Sequence, residues 1–233
     1  MLVMGLIFAA MGSPRSLAQS AKNGDIVDGK RLFWSTDWSA TGLTCAHCHA
    51  DFNEKKDPDG RLRPGHSLYN GGFRAKWQTW DGRKIQTLEK AVEMCIVRWI
   101  VAREGEEEDK LPAKHHLRKV LAYLRSDDLS PEKKSRAIEP MRADKLPSDQ
   151  LLELGDLNLG MPIFRRSCSH CHLDDGSGPA PSLIRNGYSR YQIAKKVRGI
   201  DNPGLEGLVM PPFSKDRISD RELINIVAFI YQM

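Results

Sequence analysis

The sequence predicts an all-α fold made of two similar helical units. Three observations predict it. Residues 117–124 and 223–230 are amphipathic, with apolar side chains at three- and four-residue steps. Each half carries a Gly-x-x-x-Phe pattern ahead of a Cys-x-x-Cys-His pentapeptide. Strand signals, meaning alternating β-branched runs bounded by turns, are nearly absent.

Each unit reads as the same series of elements. In the first, Gly29 and Phe33 sit four apart on an opening helix, followed by Cys45-Ala46-His47-Cys48-His49, a loop, a middle helix over 87–101 and a final helix over 117–124. In the second, Gly160 and Phe164 precede Cys168-Ser169-His170-Cys171-His172, and Ser219 with Glu222 forms a capping box for the last helix. A glycine and an aromatic ring four residues apart allow two helices to approach closely. The expected organisation is 1–18 as a leader, 19–125 as the first domain, 126–150 as a linker and 151–233 as the second domain. The leader has a short apolar stretch and Ser16-Leu17-Ala18 ahead of Gln19, which predicts an export signal cut after Ala18. No Lys or Arg precedes its apolar core, so a buried helix is the competing reading. The linker is charged and carries Pro131, Pro140 and Pro147; it reads as a flexible tether or as an ordered strap over both domains.

Composition bounds the function. Of 233 residues, 40% are hydrophobic and 28% charged, enough apolar material for a packed core. No apolar stretch reaches the roughly 20 residues of a membrane span, so no transmembrane segment is predicted. A formal charge of +5 with no Lys/Arg-rich run gives no reason to expect a nucleic-acid partner.

Four of the five cysteines fall in the doubled motif. Two thiols three residues apart add across the two vinyl groups of one haem, and the following His lies under the iron. Two covalently bound haem c groups are therefore expected, attached through Cys45 and Cys48 and through Cys168 and Cys171, with His49 and His172 as proximal ligands. A zinc ribbon needs its two knuckles roughly 15–20 residues apart; here they are 123 apart. A thioredoxin-like motif expects a βαβ context, and a disulfide within each pair leaves both His residues unexplained. Haem attachment outside the cytoplasm fits the export signal and a periplasmic location.

The sixth ligands differ between the units. Met210-Pro211-Pro212 lies 38 residues after His172, before the last helix. A thioether there is a soft, neutral ligand that favours ferrous iron; the alternative is a core methionine. The first unit has Leu111-Pro112 at the matching place, and leucine cannot bind iron. Leu88, Val92, Cys95 and Trp99 share one face of the middle helix, with Met94 about 100° away. That face should look toward the haem, so Cys95 is a candidate distal ligand; a merely buried cysteine and an intermolecular disulfide or reactive thiol compete with that reading. Met94, His66, His115 and His116 are rival ligands. His47 and His170 occupy x positions that do not aim at their own iron.

The helix–haem motif–helix–ligand loop–helix order resembles the class I cytochrome c fold, twice over. Residues 87–95, then Leu111-Pro112, then 117–124, resemble the haem domain of the Sox-system A subunit and of thiosulfate dehydrogenases. That resemblance covers about residues 41–125 and implies Cys95 as an axial ligand. The second unit resembles an ordinary class I domain and implies His172 and Met210. The acidic insertion at 104–109 and the stretch between His49 and Trp77 depart from the sulfur-enzyme pattern. A thiolate would give haem 1 the lower potential and a His/Met pair would give haem 2 the higher. The expected function is electron transfer between redox protein partners by a diheme cytochrome. The alternatives are a sulfur-oxidising enzyme of thiosulfate dehydrogenase type, with Cys95 catalytic and a small anionic sulfur compound held by Arg74, Arg83 or Arg98, and a haem subunit of a larger complex. A diheme peroxidase is disfavoured for want of its flanking pattern.

Overall fold

The computed structural model describes residues 14–78, 84–101, 113–134, 138, 140–141, 145–173, 175–200 and 210–233. Most of the leader, the acidic insertion, Leu111-Pro112 and Arg83 lie outside these residues. The described chain is helical: α1 Pro14–Trp34, α2 Cys45–Cys48, α3 Leu88–Cys95, α4 Ala113–Leu124, α5 Asp149–Glu153, α6 Leu157–Ser167, α7 Arg190–Arg198 and α8 Asp220–Gln232. Two two-residue strands, β1 Trp77–Gln78 and β2 Lys84–Ile85, pair antiparallel with Trp77 opposite Ile85. Residues 14–18 belong to α1, so cleavage after Ala18 would remove the start of that helix.

Two apolar clusters organise the helices. One gathers Leu32, Phe33, Leu68, Leu88, Val120, Tyr123, Leu124 and Leu129. The other gathers Leu152, Ile163, Phe164, Cys168, Ile193, Val197, Phe213, Leu223, Ile226, Val227 and Ile230. Each fully buried Leu, Ile or Phe contributes about 1.5–3 kcal/mol of transfer free energy.

The opening and closing helices cross in the same way in both halves. A Cβ on Gly29 would lie 2.0 Å from the Lys119 carbonyl oxygen, and one on Gly160 would lie 2.1 Å from that of Asn225. Four residues on, Phe33 meets Tyr123 edge-on at 6.0 Å between ring centroids, and Phe164 meets Phe229 at 5.1 Å. Only a residue without a side chain lets the backbones come this close, and the aromatic pair then locks the crossing. Caps fix the helix starts. Ser219 Oγ accepts from the Glu222 backbone N–H at 3.3 Å, while the Glu222 carboxylate accepts from the Ser219 N–H at 2.8 Å.

The middle helix differs from a plain α-helix over 87–101. It is α-helical through Cys95 and then widens to a π-helical turn, Ile96–Ile100, closed by the Val101 N–H donating to the Ile96 carbonyl at 3.0 Å. The register behind Trp99 therefore does not follow the 3.6-residue repeat.

A few described residues of 126–150 pack against the rest of the chain, although most in that span are exposed. Leu129 and Ser130 are buried, the Asn70 N–H donates to the Leu129 carbonyl at 2.8 Å, and Leu146 packs on the second cluster. Direct contacts also join the halves. Arg217 clamps Glu54 through both Nη atoms at 3.1 and 3.0 Å and donates through Nε to the Arg63 carbonyl at 2.8 Å. His66 Nε2 meets Asp216 Oδ2 at 2.5 Å, and the Leu62 N–H donates to the Arg166 carbonyl at 2.8 Å.

Candidate functional site

Around the first motif the chain builds a cavity of about 900 Å³, within the range of small-molecule and cofactor sites. Cys45, Cys48 and His49 border it. So do Met94 and Cys95 from α3, Phe33 from α1, Val120 and Leu124 from α4, Arg74 and Lys76 from the loop and Trp77 from β1. The same cavity reaches the other half, where Arg198, Gly199 and Pro211 to Ser214 border it.

The motif helix is set by its own sequence. Thr44 caps it, and the His47 ring returns to accept from the Thr44 backbone N–H through Nδ1 at 3.0 Å. His47, an x position of the motif, is thus a capping residue. Behind it Arg63, fully buried, donates through Nε to the Ala46 carbonyl at 3.0 Å and pairs with both Asp59 oxygens at 3.1 and 2.6 Å. Its guanidinium also lies over the Phe52 ring. Arg63 ties the loop 59–63 to the motif and satisfies its own charge there.

The His49 ring is held in a defined tautomer. Its Nδ1 lies 2.8 Å from the His66 carbonyl oxygen. A carbonyl only accepts, so Nδ1 carries the proton and Nε2 keeps its lone pair. Burial lowers the His49 pKa to about 4, so the ring is neutral at physiological pH. Gly65 makes room for it, since a Cβ there would lie 2.3 Å from His49 Cε1 and 2.5 Å from Nδ1. The second motif repeats the arrangement: His172 Nδ1 lies 2.7 Å from the Pro181 carbonyl, and burial lowers its pKa too. Gly178 there would bring a Cβ within 2.3 Å of the Cys171 carbonyl.

Cys95 is solvent-exposed and borders the cavity, with the Arg98 charge favouring its thiolate. Met94 borders the same cavity, so its 100° offset does not turn it away. His66 borders the cavity as well, but its Nε2 is engaged by Asp216. His115 and His116 stack near each other, and His116 packs on Trp38. Cys168 is buried in the second cluster with its Sγ 3.2 Å from Ser167 Oγ, and Met210 packs half-buried against that cluster. His170 is half-buried, and burial lowers its pKa to about 4. All five cysteines are free. Among the described residues no three His, Cys, Asp or Glu side chains converge as they would around a single ion. The donor set fits a porphyrin: paired thiols and a neutral imidazole on one short helix, and sulfur donors on α3 bordering the same cavity.

Sequence reasoning passed over four residues that shape this site: Gly65, the carbonyl of His66, Arg63 and Arg198. None belongs to a recognised motif, and apart from the Arg63–Asp59 pair their hydrogen-bond partners lie 15 or more residues away.

Residues 155–230 match the family model described as cytochrome C oxidase, cbb3-type, subunit III. No curated protein matches the chain. Among the described residues no helix is long and apolar enough to cross a membrane. The match covers the second motif and Met210, and it supports a c-type cytochrome domain with covalently bound haem c, an electron-transfer role and redox protein partners.

Proposed function

We propose that the chain is an exported, periplasmic diheme c-type cytochrome that passes single electrons between redox partner proteins. It comprises two tandem haem domains, 19–125 and 151–233, strapped together by 126–150. Cys45 and Cys48 would hold haem 1, and His49 and Cys95 would bind its iron. Cys168 and Cys171 would hold haem 2, and His172 and Met210 would bind its iron. The observation that carries this reading is the single cavity bordered by Cys45, Cys48, His49 and Cys95.

Haem, when bound, supplies a one-electron ferric/ferrous couple. The protein's part is to set the two sites apart in potential. Cys95 brings negative charge to the first site and favours the ferric form, whereas Met210 offers a neutral thioether that favours the ferrous form. Electrons then run from the His49/Cys95 site to the His172/Met210 site. His66 and Pro181 hold the two proximal rings by their Nδ1–H groups, so little reorganisation accompanies each electron.

A redox titration of the matured protein tests this. Two one-electron waves are expected, the lower displaced in Cys95→Ala and the upper untouched. A single wave, or a Cys95→Ala titration superimposable on wild type, overturns it.

One observation favours a second reading. Arg74, Lys76 and Arg98 border the cavity beside Cys95, a cationic lining suited to a small anionic sulfur compound. An enzyme of thiosulfate dehydrogenase type is reduced by thiosulfate and loses that reaction in Cys95→Ala; a carrier shows no such turnover. The matched family is described as an oxidase subunit, which favours a third reading, a haem subunit of a larger complex; that reading requires co-purification with a partner.

A further inference from the structure

Arg198 ends α7 in the second half of the chain, yet it borders the cavity built around Cys45, Cys48 and His49. Its side chain is 0% exposed. Nη1 donates to the carbonyls of Phe213 at 3.0 Å and Ser214 at 3.2 Å, and Nη2 donates to Asp220 Oδ1 at 2.9 Å. Nε is buried and meets no acceptor among the described residues. A buried guanidinium N–H without an acceptor forfeits about 1–3 kcal/mol, whereas both Nη atoms of Arg198 have partners. The missing acceptor should be an anion with planar oxygens, which the guanidinium fork suits. A haem held through Cys45 and Cys48 carries such groups, because its two propionates project from the porphyrin edge remote from the thioethers.

We propose that Arg198 Nε donates to a propionate of haem 1, so that the second haem domain supplies part of the first domain's haem site. This rests on the reading of the cavity as a haem site. Arg198 and Asp220 then form a charge relay toward haem 1: the guanidinium neutralises the propionate, and Asp220 offsets part of the guanidinium charge. A positive charge beside the propionate stabilises the ferrous form and raises the potential of haem 1. The same chemistry could be met by a propionate of haem 2, and the experiment separates the two.

The test is a redox titration resolving both haems in matured wild-type protein, Arg198→Leu and Asp220→Asn, with haem content measured on each. Arg198→Leu is expected to lower the haem 1 midpoint and leave haem 2 in place. Asp220→Asn is expected to raise the haem 1 midpoint, because less of the Arg198 charge is offset. Should Arg198→Leu fail to fold, having lost its bonds to the 213–214 carbonyls, Asp220→Asn decides alone. A haem 1 midpoint unmoved in the folded variants, or a shift confined to haem 2, overturns the inference. Wild-type protein with no haem bound through Cys45 and Cys48 overturns the haem-site reading itself, a separate outcome.

Discussion

Replacing Gly65 by alanine puts a methyl group against the ring of His49. The new Cβ would stand 2.3 Å from Cε1, 2.5 Å from Nδ1 and 2.7 Å from the Cys48 carbonyl oxygen. Carbon atoms rest about 3.5–4.0 Å apart, so the ring or the loop must retreat by roughly 1 Å. The Nδ1–His66 hydrogen bond starts at 2.8 Å, and a retreat of that size takes it beyond the roughly 3.2 Å limit of a sound bond. Overpacking costs about 1–3 kcal/mol and the lost bond about 1 kcal/mol, together about 2–4 kcal/mol. For a chain of this size that lowers Tm by roughly 4–16 °C. The assay is thermal unfolding of the matured protein with the haem spectrum recorded in parallel. Haem 1 should change, because its proximal imidazole has lost the group that orients it, and haem 2 should not. Gly24→Ala is the control: it lies in α1 with nothing within 4 Å of its Cβ, and should be neutral or stabilising by up to about 1 kcal/mol. A Gly65→Ala protein with wild-type Tm and haem 1 spectrum would refute the packing argument.

Four other outcomes follow from the same geometry. Gly29→Ala and Gly160→Ala each drive a Cβ into a carbonyl of the partner helix; each should cost about 1–3 kcal/mol, read by denaturant unfolding, and a stabilised variant would contradict the crossing. Asp59→Asn strips the fully buried Arg63 of its paired carboxylate and should cost about 1–3 kcal/mol at neutral pH. Hydrogen bonding from Arg63 holds the Asp59 carboxyl below the usual range. Its contribution is therefore complete above the unfolded pKa of about 3.9 and fades as pH falls through the lower folded value, so wild type and Asp59→Asn should converge in acid and differ at pH 7. Met210→His, by exchanging a thioether for an imidazole, should lower the haem 2 midpoint and leave haem 1 alone, as read by redox titration.

The parts of this structure that were legible in the sequence are the local ones. Gly29 with Phe33, Gly160 with Phe164, and Ser219 with Glu222 act over three or four residues, and helix geometry alone turns those spacings into crossings and caps. The two pentapeptides were legible for the same reason. What escaped is of two kinds. Gly65, Arg63 and Arg198 act through partners that no periodicity announces. Arg217 reaches Glu54 across 163 positions, and the stretch between His49 and Trp77, which departs from the sulfur-enzyme pattern, turns out to hold the His49 ring and to contact the other half. The other kind is the π-helical turn after Cys95. The sequence 96–100 suits an α-helix equally well, so the extra residue in that turn is a tertiary choice. The linker was open between tether and strap because charge and proline density are common to both; Leu129 and Ser130 are buried, while most of its other described residues are exposed.

The central claim is that two haems sit in this chain with different sulfur atoms as their sixth ligands. Low-temperature EPR of the oxidised protein, wild type beside Cys95→Ala, tests it most directly. The account predicts two low-spin ferric species of equal intensity in wild type, one with the narrow g spread of thiolate ligation, and loss of that species alone in Cys95→Ala. A single species in wild type, or identical spectra from the two proteins, would contradict it.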